Sequence, residues 1–425
     1  MPRRAAPRRR SSIALALAGG GPLGAIYEIG ALNALAESIE GLDLNGLDRY
    51  VGVSAGAFLT AGLANGITPS QLCRMFIAGD SARLPFDPAH FLMPAYRELW
   101  RRSWQVPTLA LQGLAAYIGS GGRKGLAESF QRLTRSLPTG VFDNDAIGAY
   151  LRRAFVAHGG TDDFRQLKSR LYMVATDLDT GEATAFGSEG LDHVPISRAI
   201  QASAALPGLF PPVRIDGRWY VDGALKKTLH ASVALREGAD LVLCINPLVP
   251  FNAQRATAPS SGVNTAKTVI DGGLPTVMAQ TLRTLIHSRM EVGMARYELE
   301  YPDADIVLFE PDHGDTDMFF TNPFGYASRQ RLCEHAWRQT RAALLARRQE
   351  LEPKLARHGL ALRLDVLRDR QRRLMPAMAT LHRRRGTELG RTALDLQDTL
   401  DRLQTQVGRL QAQGPRAARA SRHID

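Results

Sequence analysis

Hydrophobic positions along this chain fall into two kinds of pattern. Residues 13–18 are a short unbroken apolar run, the signature of a parallel strand covered on both faces, and 50–53 and 241–245 read as further short strands. After the first run, Ile26, Ile29, Leu32, Leu35, Ala36 and Ile39 recur at helical spacing, and after the second comes the small apolar stretch 57–64. Strand, glycine-rich loop and helix therefore appear twice within 65 residues. Further strands are predicted at 171–175, 183–186, 218–221 and 306–309, alternating with helical stretches, which argues for a mostly parallel sheet with helices on both faces. A Ser, Thr, Ala and Gly-rich loop over 253–273 precedes a predicted helix at 276–300.

Two regions depart from this alternation. Between about 80 and 165 the pattern is helical and aromatic, with Phe86, Phe91, Tyr96, Trp100, Trp104 and Tyr117 broken by Pro85, Pro88, Pro94 and Pro107. A hydrophobic cap over a lipid-binding cleft and ordinary helix packing both fit that composition. After about residue 328 the chain turns helical and basic. Leu389, Leu396, Leu403 and Leu410 stand seven apart, with Ala393, Leu400 and Val407 three residues before the last three, which is a heptad seam. Leu360, Leu367, Leu374 and Leu381 repeat the spacing, with Leu364 and Met378 in companion register, so a hairpin of two helices or a dimerising coiled coil is expected, kinked at Pro376. From Gln411 the composition reads as a frayed tail.

Charge sharpens the division. The net charge is +11 over 425 residues, yet the ends carry it. Residues 1–10 hold five arginines and no acid; residues 331–425 hold 21 basic against 10 acidic side chains; the stretch between is mildly acidic. Basic ends of this kind suit a solvated polar helix surface or an anionic lipid surface, whereas a nucleic-acid partner is not expected, because no recognition module or interleaved aromatics accompany them. The three cysteines, Cys73, Cys244 and Cys333, form no CxxC pair, so neither a disulfide framework nor a cysteine zinc site is indicated and a reducing cytoplasm is the simplest setting. No run of about 18 apolar residues exists to span a bilayer. The arginine-rich start followed by an apolar run imitates a secretory signal, but six apolar residues before three glycines read as a buried strand.

Gly52-Val-Ser54-Ala-Gly56 fits the pentapeptide in which a serine sits in a tight strand-to-helix turn with its hydroxyl presented. Glycine is needed at both ends because side chains there would meet the neighbouring strand and helix. Gly19, Gly20 and Gly21 follow the first strand, and consecutive glycines let backbone N–H groups converge on an oxyanion. A dinucleotide loop would use similar glycines, but the spacing is not G-x-G-x-x-G. No histidine of the ten stands in a recognisable catalytic context, whereas Trp219-Tyr-Val-Asp222-Gly-Ala224 ends an apolar strand on an aspartate followed by two small residues.

Taken in order, Gly19-Gly-Gly-Pro-Leu-Gly24, Gly52-Val-Ser-Ala-Gly56, Ala175-Thr-Asp-Leu-Asp-Thr-Gly181, Ala202-Ser-Ala-Ala-Leu-Pro-Gly-Leu-Phe-Pro-Pro212 and Asp216-Gly-Arg-Trp-Tyr-Val-Asp-Gly-Ala224 resemble the patatin-like phospholipase family over roughly residues 12–310. The resemblance implies a three-layer α/β/α fold and hydrolysis of lipid acyl esters by a Ser–Asp dyad, without histidine, metal or organic cofactor. Carried over, Ser54 is the nucleophile, Asp222 the base, and Gly19, Gly20 and Gly21 the oxyanion hole. Two positions depart from the family pattern. Leu23 stands where a cation usually precedes the last glycine of the loop, and Lys226-Lys-Thr-Leu-His230 stands where an Asn-Asn-x-Pro stretch is usual. The reaction class survives these changes better than a phospholipid head-group assignment does.

The expected organisation is a basic arm (1–11), a patatin-like catalytic domain (12–325, with the cap inside 80–165), a basic helical or coiled-coil extension (326–412) and a tail (413–425). The expected protein is a lipid acyl-ester hydrolase, cytoplasmic or peripheral to an anionic membrane, forming homo-oligomers through its C-terminal helices. Two alternatives stand beside it: a Ser–His–Asp α/β-hydrolase, which would normally place several strands before the elbow, and a catalytically silent scaffolding protein on a lipid surface.

Overall fold

The structure is a computed structural model that describes residues 10–78, 139–256, 269–320 and 326–374. Most of the expected cap and the heptad run from Leu389 to Leu410 lie outside these residues. The strands are β1 (Ile13–Leu17), β2 (Ile39–Glu40), β3 (Arg49–Val53), β4 (Arg170–Asp177), β5 (Ala183–Phe186), β6 (Val213–Ile215), β7 (Arg218–Asp222), β8 (Leu241–Ile245), β9 (Asp305–Phe309) and β10 (Ala361–Leu362). Among the described residues the helices of eight residues or more are α1 (Gly21–Ser38), α2 (Ala55–Ala64), α3 (Asp145–Ala157), α4 (Ile196–Ser203), α5 (Gly273–Glu300), α6 (Tyr326–Ala346) and α7 (Arg348–Arg357).

Eight strands form one sheet in the order β6-β7-β4-β3-β1-β8-β9, with β5 paired to β4 off that path. The pairings β4-β3, β3-β1, β1-β8 and β8-β9 are parallel, and β7 and β6 close the β4 edge in antiparallel fashion. Both faces are covered, as the unbroken apolar runs require. Alternation along each strand divides its side chains. Leu15, Leu17, Tyr50, Met173, Leu243 and Phe309 join the larger core with α1, α2, α4 and α6. Ala14, Ala16, Val51, Val174, Val242 and Cys244 face the opposite layer, which holds the short helix Ala231–Arg236 and Tyr297 of α5. The result is a three-layer α/β/α fold with a mostly parallel centre.

Helix α6 is part of this body. A side chain on Gly30 of α1 would come within 2.5 Å of the Cys333 carbonyl oxygen, so a glycine there lets the two helix backbones approach. Leu332, Ala336, Leu344, Leu351 and Leu355, from α6 and α7, enter the same core cluster as β1. The first part of the expected 326–412 extension thus packs onto the sheet's own helix layer. The first heptad run does not continue as a helix: Leu360 precedes β10, which pairs antiparallel with β2; Leu367 lies in the short helix Leu364–Arg368; Leu374 follows in irregular chain. Leu360 and Leu367 are buried in the main core, with Leu364 and Leu374 packed against it. Seven-residue spacing brought them to one core from three different local structures. Among the described residues no helix is long and apolar enough to cross a membrane.

Candidate active site

Strand register determines what meets at the sheet's edge. Because β1 and β3 are parallel neighbours pairing Leu17 with Gly52, the loops that leave them, Gly19–Gly21 and Ser54, emerge side by side. Register between β3 and β4 pairs Val53 with Val174, so Ser54 lies level with Ala175, and β4 pairs Ala175 with Asp222 of β7. Two strand spacings of about 4.8 Å separate the backbones, within the combined reach of a serine and an aspartate side chain turned toward each other. The antiparallel turn of β7 is what brings the end of that strand to the edge that holds Ser54.

Ser54 has φ 50° and ψ −116°, a backbone state disfavoured for a residue with a Cβ. Several contacts hold it. Its N–H donates to Ser203 Oγ at 2.8 Å, and the Ser203 hydroxyl donates to the Val174 carbonyl at 2.6 Å. The Gly56 N–H donates to the Ala18 carbonyl at 3.1 Å. Gly52 and Gly56 are glycine for a steric reason. A Cβ on Gly52 would fall 2.6 Å from the Ala57 Cα, and one on Gly56 would fall 2.6 Å from the Ala18 carbonyl oxygen. The turn opens into α2, whose N-terminal dipole favours negative charge beside Ser54.

Asp222 is buried. Its Oδ1 accepts the Ala224 N–H at 2.8 Å, its own N–H donates to the Ala205 carbonyl at 3.0 Å, and its carbonyl accepts the Thr176 hydroxyl at 3.1 Å. Burial pushes its carboxyl pKa up to about 6, while the Ala224 N–H and a hydrogen bond from the Ser54 side chain act in the other direction. A Cβ on Gly223 would lie 2.2 Å from the Val174 carbonyl oxygen, so β7 can end against β4 only with glycine there.

Gly19 completes the convergence: a Cβ there would sit 3.2 Å from the Ser54 Cβ and 3.1 Å from the Ala224 Cβ. Gly20 caps α1 and Gly21 opens it with φ 58°, so their N–H groups belong to the helix start that has no intrahelical acceptors. Leu23 is half-buried against the main core. The structure thus brings Gly19, Ser54, Asp222 and Ala224 together. Ser203, which fixes the Ser54 amide, was legible only as part of Ala202-Ser-Ala-Ala-Leu-Pro; its hydrogen bond spans 149 residues and has no local signal.

The described histidines engage other groups. His230 is buried beside the Asp222 turn, where its ring nitrogen meets the Gly223 carbonyl at 3.3 Å and burial depresses its pKa to about 4, so the neutral ring donates there. His193 pairs with Asp216, His335 with Asp315 and His358 with Asp305; His158 bonds the Ala154 carbonyl, and His287 lies between Glu291 and Glu310 in contact with His313. Among the described residues no group of three or more His, Cys, Asp or Glu is arranged to hold a metal ion.

A mostly parallel α/β sheet with a strained serine between strand and helix, flanked by a glycine loop and a buried carboxyl, defines the class of α/β proteins built on a serine elbow. More narrowly, residues 15–235, over half of the chain, match the family described as patatin-like phospholipase, and the chain belongs to that family. Among curated relatives, the uncharacterized NTE family protein MT2641 of Mycobacterium tuberculosis (strain CDC 1551 / Oshkosh) is 27% identical over 254 residues, 59% of this chain and 32% of its own length. The uncharacterized NTE family protein Mb1092c of Mycobacterium bovis (strain ATCC BAA-935 / AF2122/97) is 26% identical over 158 residues, 35% of this chain and 42% of its own length. The chain therefore spans about a third to two fifths of these relatives. Among solved structures, VipD from Legionella pneumophila aligns with a TM-score of 0.37 at 18% identity, covering 79% of this chain and 67% of that one. The type III effector protein ExoU aligns at 0.33 and 15% identity, covering 80% and 53%.

Proposed function

We propose that this protein is a serine acyl hydrolase acting on lipid esters through a Ser54–Asp222 dyad. The observation that carries the reading is Ser54 in its positive-φ turn, at the edge to which strand register brings the buried Asp222 carboxyl, whose pKa burial pushes up to about 6. A carboxylate with a pKa near 6 is ionised at neutral pH and yet basic enough to take a proton from an attacking hydroxyl. Asp222 accepts the Ser54 proton as Oγ attacks the ester carbonyl, and the Gly20 and Gly21 N–H groups hold the oxyanion. The leaving alcohol departs with the proton held by Asp222. Asp222 then takes a proton from water, which attacks the acyl-serine, and Ser54 recovers its hydrogen as the fatty acid leaves.

Family membership supports the acyl-ester chemistry; the head group is a separate matter. With Leu23 turned partly into the core and no cation at that position of the loop, nothing there is placed to receive a phosphate, so turnover of neutral acyl esters should match or exceed that of phospholipids of equal chain length. The histidine partners described above favour the dyad over a Ser–His–Asp triad.

One assay tests the reading: short and long acyl esters and a phospholipid, presented in one micellar system to wild type, Ser54→Ala and Asp222→Asn. Loss of all turnover in both variants, with the thermal transition retained, is the expected result. Turnover persisting in folded Ser54→Ala would remove the serine from the chemistry, and an inactive wild type would favour the scaffolding role.

A further inference from the structure

The described structure uses the first heptad run in its own core. Leu360 and Leu367 are buried there and Leu374 packs against it, so the second run, Leu389, Leu396, Leu403 and Leu410 with Ala393, Leu400 and Val407 between, does not have the first run as a partner. Helix α5 presents a face with the same period. Met278, Leu285, Val292 and Leu299 stand seven apart along it and are 60%, 62%, 70% and 84% exposed. They fall within about 60° of one another around the helix at 100° per residue. The opposite face, with Ile286, Met290 and Tyr297, is the one buried against the body.

Between the large residues of the exposed stripe sit small ones, Thr281, Ser288 and Ala295. The Thr281 hydroxyl donates to the Val277 carbonyl of its own helix, which meets the need of that polar group locally. A stripe alternating large and small accepts leucines from a partner that is large at both seam positions, as the second run is at Leu396, Leu400, Leu403 and Val407. Parallel pairing of α5 with a second α5 would set small layers against small. The flanks agree with the choice: Gln397, Thr399, Gln404 and Gln406 border the leucine seam with neutral side chains, so neither Arg289 and Arg296 nor Glu291 and Glu298 along α5 meets a like charge. Both seams cover the same length, 278–299 and 389–410. Residues 375–388 can extend about 46–50 Å, about twice the radius of gyration of about 22 Å expected for a compact chain of this size.

We propose that residues 389–410 of this same chain dock as a helix on the exposed stripe of α5. Tethering favours the chain's own segment over a second copy, because a linker of this length holds it at a high effective concentration.

The test uses the full-length protein with two double variants, Leu285→Glu with Val292→Glu on the stripe and Leu396→Glu with Leu403→Glu on the repeat. The readouts are hydrogen exchange of peptides from 389–410, solution mass by light scattering, and binding to vesicles of anionic phospholipid. All four positions lie outside the proposed catalytic groups, and an unchanged near-ultraviolet spectrum reports an intact body. The expected result is a monomer in which 389–410 is protected in wild type and exchanges at least about tenfold faster in either double variant, with no further gain when the two are combined. Three results would overturn the proposal: equal exchange of 389–410 in wild type and the stripe variant; a dimeric wild type that both variants split, which would assign the stripe to a second copy; or loss of vesicle binding in the stripe variant alone, which would assign it to a lipid surface.

Discussion

Ser54 (φ 50°) and Asp216 (φ 48°) are the two non-glycine residues with positive φ among the described residues, and their settings differ in kind. Asp216 and Gly217 (φ 85°) form the two-residue loop between β6 and β7, where Ile215 pairs with Arg218. A two-residue hairpin of type I′ needs positive φ at both central positions, and Asp-Gly is among the pairs that tolerate it best. There the conformation is explained within four residues and is exposed, with the His193 ring hydrogen-bonded to the Asp216 carboxylate at 2.9 Å. Nothing local explains Ser54. Its conformation, costing about 1–3 kcal/mol, is imposed by Ser203 on α4, by Ala18 at the end of β1 and by the close approach of α2 at Gly52. The contrast separates a turn whose geometry is relaxed from one whose geometry the whole fold maintains, and the maintained one presents the hydroxyl.

Replacing both residues by glycine gives the largest separation. Ser54→Gly should lose more than about 10³-fold in turnover while gaining about 1 kcal/mol of stability, because the proposed nucleophile goes and the strain goes with it. A fall in Tm in that variant would show that the elbow is not strained.

The partner carboxyl gives the next effect. Burial sets Asp222 near pKa 6 in the folded protein, against about 3.9 in an unfolded chain. The folded state therefore binds this proton more tightly than the unfolded state does. Its contribution is most favourable below pH 4, declines as pH rises through 6, and by pH 7 leaves a cost of about 3 kcal/mol. Turnover should follow the opposite course, falling about tenfold per pH unit below 6. Asp222→Asn should abolish turnover and flatten that part of the stability profile in denaturant titrations between pH 4 and 8; an unchanged slope would remove the raised pKa.

Smaller still is Ser203→Ala. It deprives the Ser54 N–H of its acceptor, so kcat should fall about tenfold with KM little changed, since the elbow loses a positioning contact and the substrate surface does not. A rise in KM at constant kcat would place Ser203 on the substrate instead. Asp216→Gly closes the series with stability within about 0.5 kcal/mol of wild type and turnover unchanged, measured by denaturant titration and the same ester assay.

The same contrast explains what the sequence made legible. Strands 183–186 and 241–245 appear at their expected bounds, and β1, β3, β4, β7 and β9 differ from theirs by one or two residues; in β1, β3, β4 and β8 buried apolar runs report the strand through purely local composition, whereas β5 is buried only at Phe186. The glycines of the elbow and the loop were legible for the same reason, as punctuation between run and helix. Strand β6 was not read, although Asp216-Gly217 is a hairpin signal, because Val213-Arg-Ile215 is too short to show alternation. Ser203 was invisible as a support for Ser54, since a hydrogen bond across 149 residues leaves no trace in spacing. The run from Leu360 to Leu374 failed in the other direction. Its spacing is heptad, but Gly359 (φ 75°) and the β10 pairing interrupt the backbone, and period alone does not distinguish one helix from three fragments that share a core.

The contact between Ser54 and Ser203 also bears on the order in which the molecule comes into being. Chain emerging from a ribosome presents β1, β3 and α2 early, yet the acceptor that fixes the Ser54 amide follows 149 residues later, and it in turn leans on Val174. Until Ser203 has been synthesised and α4 has docked, the elbow is free to relax to ordinary dihedrals. Long-range closure of this kind is slow relative to local structure. The elbow geometry therefore arrives late in folding, after the sheet centre has formed, and a nascent or prematurely terminated chain ending before residue 203 carries the serine without the contacts that present it.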